Sequence, residues 1–263
     1  MLSQDAPAGS VRLPSGPFSR VYALEGPKRD VVVKLGPPTA SLREAAALQD
    51  VRRLGLAPEV IAVGEGVLVL ERMPGETVPP DGLGTTRAAA LGAVVRRVHD
   101  SYVAATGGWP DWPDGARDLP DYHAQVVDVV RDLATSEHRE LTRRVLAGLP
   151  TPPTADEPGF RRLHGDLWSG NVVWDGDRPW LVDWEYARRG DPAEELAYLV
   201  EMDGMGPELV AAVLEGYGHA GILPRVEAWR PLVALSAGLW YADLGLGERA
   251  QELLGQAARL AHA

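Results

Sequence analysis

The chain has 263 residues, 45% of them apolar and 24% charged, enough for one large core or two modest ones in a globular protein. Its formal net charge of −11 argues against a nucleic-acid or anionic-membrane surface and suits a cationic ligand. No cysteine occurs, which removes disulfides, thiolate metal sites and cysteine nucleophiles.

Met1 to Ser10 carry no basic segment followed by an apolar one, and no apolar run reaches membrane-spanning length, so a cytoplasmic protein is expected. Arg20 to Leu24, Asp30 to Leu35, Val60 to Val63 and Val67 to Glu71 read as short strands separated by Pro and Gly clusters. One helix interrupts them, from about Ser41 to Leu54. Ser41 is its expected N-cap, and Glu44 stands where a capping box needs it. Leu42, Ala45, Ala46, Leu48 and Val51 would form its buried face.

Pro74-Gly75-Glu76 and Pro79-Pro80-Asp81-Gly82 mark a boundary between an N-terminal lobe, residues 1–73, and a helical C-terminal lobe, residues 74–263. Helices are expected at about Thr85 to His99 and Asp121 to Leu146. Short strands follow around Arg161 to Leu163, Val172 to Trp174 and Trp180 to Asp183, the last two joined by Asp175-Gly176-Asp177. Helices return at about Pro192 to Glu201, Pro207 to Tyr217 and Pro224 to His262, the last broken near Gly245 to Gly247. The predicted class is α+β, with a small β-rich N-lobe and a larger, mainly helical C-lobe.

The stretch Leu163-His164-Gly165-Asp166-Leu167-Trp168-Ser169-Gly170-Asn171, with Asp183 ending the next apolar run, carries the polar set of phosphoryl transfer. Asp166 is the expected base. Asn171 and Asp183 are the expected magnesium ligands, since hard Mg²⁺ prefers oxygen donors. Of the 26 basic residues only Lys28 and Lys34 are lysines, yet Lys34 sits inside the apolar run Val31-Val32-Val33-Lys34-Leu35. A compact ammonium there suits a nucleotide phosphate, and Glu44 is its candidate partner, in competition with the capping box.

The segment Ser15 to Tyr22, between strands, would bring backbone N–H groups and Ser19 to phosphate oxygens, with Phe18 as a flap over the nucleotide or folded back onto its own lobe. In a two-lobed kinase the connector backbone bonds the purine, so the carbonyl of Glu71 and the N–H of Met73 are expected to hold the base of ATP or GTP. His164 reads as a structural hydrogen-bonding residue. A hydrolase built on Ser169 is not expected, because Trp168-Ser169-Gly170 lacks the first glycine of a nucleophile elbow.

These residues resemble the aminoglycoside phosphotransferase and choline kinase-like superfamily, which shares the protein-kinase architecture. The likeness runs from the Ser/Gly loop through Lys34, Glu44, the Glu71-to-Gly75 connector and His164-Gly165-Asp166 to Asn171. It continues through Asp183-Trp184-Glu185 and Gly190-Asp191-Pro192 to Leu196-Ala197. It implies a two-lobed, protein-kinase-like fold and an ATP- and magnesium-dependent transfer to the hydroxyl of a small molecule. Two departures stand out. Glu195 replaces the family's usual Asp before Leu-Ala, which puts a structural hydrogen bond in question. Gly165 and Trp184-Glu185 replace the Arg and the Phe-Gly of protein-kinase switches, so phosphorylation-gated activity has no machinery here.

Relatives in that superfamily bind the acceptor between the catalytic loop and the C-terminal helices. Glu185, Asp203 and Asp243 are the candidate carboxylates for a cationic acceptor, with Trp168 and Trp240 as aromatic surfaces. An aminoglycoside-like or other cationic antibiotic is the expected acceptor. The loop is also similar to that of fructosamine kinases, which makes a ketoamine the alternative. A nucleotide-binding pseudokinase acting by interaction is the reading from another class, opposed by the presence of all four catalytic polar groups.

Overall fold

The computed structural model describes residues 6–15, 17–101, 130–136, 138–149 and 161–262. β1 (Val11–Leu13), β2 (Arg20–Leu24), β3 (Val31–Leu35), β4 (Val60–Gly64) and β5 (Val67–Glu71) form one antiparallel sheet in the order β1-β2-β3-β5-β4. Val32, Lys34, Leu68 and Leu70 share the face turned to the core and the cleft, while Tyr22 and Val33 are buried on the opposite face. β1 is not visible in the sequence pattern: it is three residues long and Val11 is 66% exposed, so no alternation develops.

The helix between β3 and β4 corrects two expectations. α1 spans Pro38–Val51, with Pro37 as N-cap and Pro38 in the first turn, where a missing N–H costs nothing. Ser41 therefore lies inside the helix, its N–H bonded to the Pro37 carbonyl at 3.2 Å, and no side chain caps the start. The capping box does not form. The buried face turns with the new start: Ser41, Glu44, Ala45, Leu48 and Val51 face inward, while Leu42 is 52% exposed.

The second region is mainly helical: α2 (Gly84–Asp100), α3 (Arg139–Ala147), α4 (Pro192–Asp203), α5 (Pro207–Tyr217), α6 (Leu223–Asp243) and α7 (Gly247–Leu260). Residues 121–129 of the helix expected over Asp121 to Leu146 lie outside the described residues. The remainder is two pieces, helical through residue 133 and again from Arg139. α4 is capped by Asp191, whose Oδ1 accepts the Ala193 N–H at 3.0 Å and whose Oδ2 accepts Trp229 Nε1 at 2.8 Å. Pro192 then fills the first helical position.

α2 and α5 touch backbone to backbone. A Cβ on Gly92 would lie 2.0 Å from the Val213 carbonyl oxygen, and one on Gly216 would lie 1.8 Å from that of Ala89. Gly216→Ala is thus expected to pry these helices apart and lower stability by roughly 3 kcal/mol, the upper end of overpacking. An unchanged midpoint in urea denaturation would show that the crossing has room to spare.

Two small sheets connect the helices to the active face. β8 (Val172–Asp175) lies between β6 (Glu76–Thr77) and β9 (Arg178–Leu181), and β7 (Arg161–Leu163) pairs with β10 (Arg188–Gly190). β9 ends at Leu181, short of the expected Asp183, although the Val182 N–H still bonds the Asn171 carbonyl at 3.0 Å; on its other side the Leu181 N–H bonds the Leu56 carbonyl at 2.8 Å. That bond ties the helical region to the loop beyond α1. No helix among the described residues is long and apolar enough to cross a membrane.

Candidate active site

A cavity of about 1110 Å³ lies between the five-stranded sheet and the helices, and residues of both regions line it. The loop after β7 supplies its floor. His164 is buried, packs on Trp184 with ring centroids 4.5 Å apart and donates from Nε2 to the Val182 carbonyl at 2.8 Å. Its Nδ1 faces the Asp166 N–H at 3.4 Å.

Gly165 has φ 88°, and a Cβ there would meet the Tyr186 carbonyl oxygen at 2.0 Å, so only glycine fits the turn. Its N–H donates to Glu195 Oε1 at 2.7 Å, and its carbonyl accepts from Arg188 Nη1 at 2.9 Å. The longer Glu195 side chain thus makes the hydrogen bond that its departure from the family pattern put in question. Glu195 Oε2 also pairs with His99 Nε2 at 2.8 Å. Burial works against the Glu195 charge, but the His99 and Gly165 hydrogen bonds hold it below the usual carboxylate range.

Asp166 sits on this frame with both carboxylate oxygens engaged. Oδ1 accepts the Tyr198 hydroxyl at 2.7 Å, and Oδ2 accepts Asn171 Nδ2 at 2.9 Å. The same Nδ2 donates to the Asp166 carbonyl at 2.7 Å. With the amide nitrogen spent, Asn171 has its oxygen left to offer.

Lys34 reaches the same cavity from β3. Its Nζ donates to Glu44 Oε2 at 2.5 Å and Asp183 Oδ1 at 2.7 Å, and lies 3.8 Å from Glu185 Oε2. Burial opposes the ammonium charge, yet Glu44, Asp183 and Glu185 together hold its pKa above the usual lysine range. Burial pushes the Glu44 and Glu185 carboxyls up, against the pull of Lys34 and with Asp183 adding to the effect. Glu44 Oε1 also accepts the Trp184 N–H at 3.3 Å.

Glu44, Asp183 and Glu185 each bring a carboxylate oxygen within 4.8 Å of the others. That trio is no metal cage by itself, because the Lys34 ammonium already lies among its oxygens. Asp183, two residues past β9 with φ 66°, and Asn171 instead offer oxygen atoms that could hold a hard divalent cation.

The family model described as "Phosphotransferase enzyme family" matches residues 10–232. The chain belongs to that family. Over 187 residues it is 31% identical to the viomycin phosphotransferase of Streptomyces vinaceus, a stretch covering 66% of this chain and 63% of that protein. It thus spans less than two thirds of that relative's length. Over 187 residues it is also 31% identical to a probable ketoamine kinase of Thermus thermophilus, covering 68% of both chains. A choline/ethanolamine kinase family protein from Mesorhizobium loti matches in structure with a TM-score of 0.74 at 20% identity, covering 100% of this chain and 90% of that one. The two-lobed, protein-kinase-like fold is common to both.

In this phosphotransferase-family chain, Ser19, Lys34, Glu44, Glu71, Met73, Asp166, Asn171 and Asp183 all border the one cavity. The suggested acceptor residues divide. Trp168, Glu185 and Trp240 line it. Asp203 is turned away: its oxygens accept the Ser169 N–H at 3.0 and 3.1 Å and the Ser169 hydroxyl at 2.9 Å. Asp243, at the end of α6, is exposed and is not part of the lining. Trp240 is half-buried, its ring 5.0 Å from Tyr241 and 6.3 Å from Phe18. Phe18, 54% exposed, therefore neither folds back onto its own sheet nor stands alone; it meets the helical region across the cleft.

Tyr198 and Arg188 escape the sequence reading. Tyr198 is set in the apolar helical run Leu196-Ala197-Tyr198-Leu199-Val200, which reads as core. Arg188 stands beside Arg189 with nothing local to mark its inward turn.

Proposed function

We propose that this chain is an ATP- and magnesium-dependent phosphotransferase that acts on a hydroxyl of a small molecule bearing a cationic group. The observation that carries the reading is the convergence of Asp166, Asn171, Asp183 and Lys34 on one cavity, from both sides of the cleft. Asp166 accepts the hydroxyl proton as the oxygen attacks the terminal phosphorus, and its fixed carboxylate needs no unusual basicity because the transition state is loose. Lys34 orients phosphate oxygens, and its swing from the Asp183 carboxylate toward a phosphate exchanges one anionic partner for another. Asn171 and Asp183 would hold the metal, which supplies charge neutralisation between the phosphates when bound. Glu71 and Met73, bordering the cavity where the sheet ends, are suited to the adenine edge.

Glu185 and the aromatic faces of Trp168 and Trp240 favour a cation on the acceptor. Two acceptor classes follow from the relatives, a viomycin- or aminoglycoside-like antibiotic and, as the second reading, a ketoamine. The test is ADP release from MgATP with viomycin, an aminoglycoside and fructosyl-lysine in parallel, followed by mapping of the phosphorylated oxygen. Magnesium-dependent turnover with one class is expected. ATP binding with no turnover across this panel and a broad library of hydroxyl compounds would overturn the reading in favour of a pseudokinase.

A further inference from the structure

We propose that Tyr198 is the positioning residue of Asp166, fixing the plane of the carboxylate that faces the acceptor hydroxyl. This deepens the function proposed above and rests on Asp166 being the base.

The torsion that turns a carboxylate about its last bond is broad and roughly two-fold, so one donor does not settle its orientation. Asp166 has two, one on each oxygen: Tyr198 at 2.7 Å on Oδ1 and Asn171 at 2.9 Å on Oδ2. They come from opposite sides. Asn171 belongs to the same loop as Asp166 and moves with it. Tyr198 belongs to α4, whose cap Asp191 is anchored away from the loop by Trp229 of α6, and which Glu195 ties to the loop through the Gly165 N–H. Tyr198 is therefore the brace that refers the carboxylate to the rigid part of the molecule.

Burial, followed by the neighbouring Asp166 charge, raises the Tyr198 phenol well above its ordinary pKa, so it remains a donor. Each carboxylate oxygen accepts two hydrogen bonds, so both retain a site for the incoming hydroxyl. Tyr198 also borders the cavity, which makes direct contact with the acceptor the rival role.

A double-mutant cycle separates the two. Turnover is read as ADP release from MgATP with the fastest acceptor of the panel above, and with water as acceptor when none is used. Tyr198→Phe removes one oxygen and keeps the ring. It is expected to lower kcat about 10-fold or more, since small misplacements of a reacting group are costly, with KM for MgATP unchanged. In the Asp166→Ala background the same change is expected to cost nothing further.

Full kcat in Tyr198→Phe would overturn the positioning role while leaving the base assignment intact. An equal loss in both backgrounds would overturn it in favour of direct acceptor contact. Normal turnover in Asp166→Ala would instead remove the reading on which the proposal stands.

Discussion

Asp166→Ala is expected to lower phosphoryl transfer about 10²–10⁴-fold, the usual contribution of a positioned general base, while leaving MgATP affinity nearly unchanged. The separation follows from the contacts. Asp166 touches Tyr198 and Asn171, whereas the Lys34 ammonium is held by Glu44 and Asp183. Without the carboxylate, Asn171 still donates to the Asp166 backbone carbonyl at 2.7 Å, so the nucleotide half of the cavity keeps its shape. Asp166→Asn keeps the shape but removes the capacity to take a proton and sets an NH2 against one of the two donors, so it should lose nearly as much. Steady-state kinetics beside calorimetric titration of MgATP would check both variants. Normal kcat in either would mean that the hydroxyl loses its proton elsewhere.

Lys34→Met carries the second large effect, on stability and nucleotide binding together. The methionine stem fills the same channel, but fully buried Glu44, with Glu185 and the partly exposed Asp183 beside it, is then left without a cation. Breaking a buried pair by removing one partner costs about 3–5 kcal/mol, because the charges left behind have nothing to offset their desolvation. The variant should melt earlier and bind MgATP weakly. Lys34→Arg is expected to fail as well, since a planar fork cannot occupy the compact position between Glu44 and Asp183. Adding Glu44→Gln to Lys34→Met should recover part of the lost stability by removing the most deeply buried of the orphaned charges. An unaltered denaturation midpoint in Lys34→Met would refute the account of the cluster.

Much of this was legible from the chain alone, and the reason differs by residue. That Asp166, Asn171 and Asp183 border one cavity could be foreseen because one loop and one hairpin carry them, so sequence spacing nearly fixes their spacing in space. Lys34 stood out as a charge in an apolar strand. Its pairing with Glu44 depended on where α1 begins, and local signals pulled two ways. Ser41 and Glu44 match a capping box, whereas Pro37-Pro38 starts the helix earlier and turns Glu44 inward.

The acceptor side was less legible because it is assembled from distant elements. Asp203 and Asp243 are both carboxylates close to the cleft in the chain's topology, yet Asp203 bonds Ser169 and Asp243 faces solvent. No periodicity distinguishes such fates. Tyr198 shows the converse: its hydroxyl is the only polar side-chain atom in the run Leu196 to Val200, and its bond to Asp166 appears only when α4 is laid beside the loop after β7.

Asp183, with φ 66°, is the only described residue other than glycine that holds a left-handed backbone. That geometry sets folding and chemistry at odds at a single codon. Glycine would suit the main chain better, so a selection that scores only abundance or heat tolerance should register Asp183→Gly as mild and Asp183→Val, with its branched Cβ, as damaging. A selection that scores turnover should reject both. A gap between those two fitness landscapes at this position would identify the site without any ligand in hand.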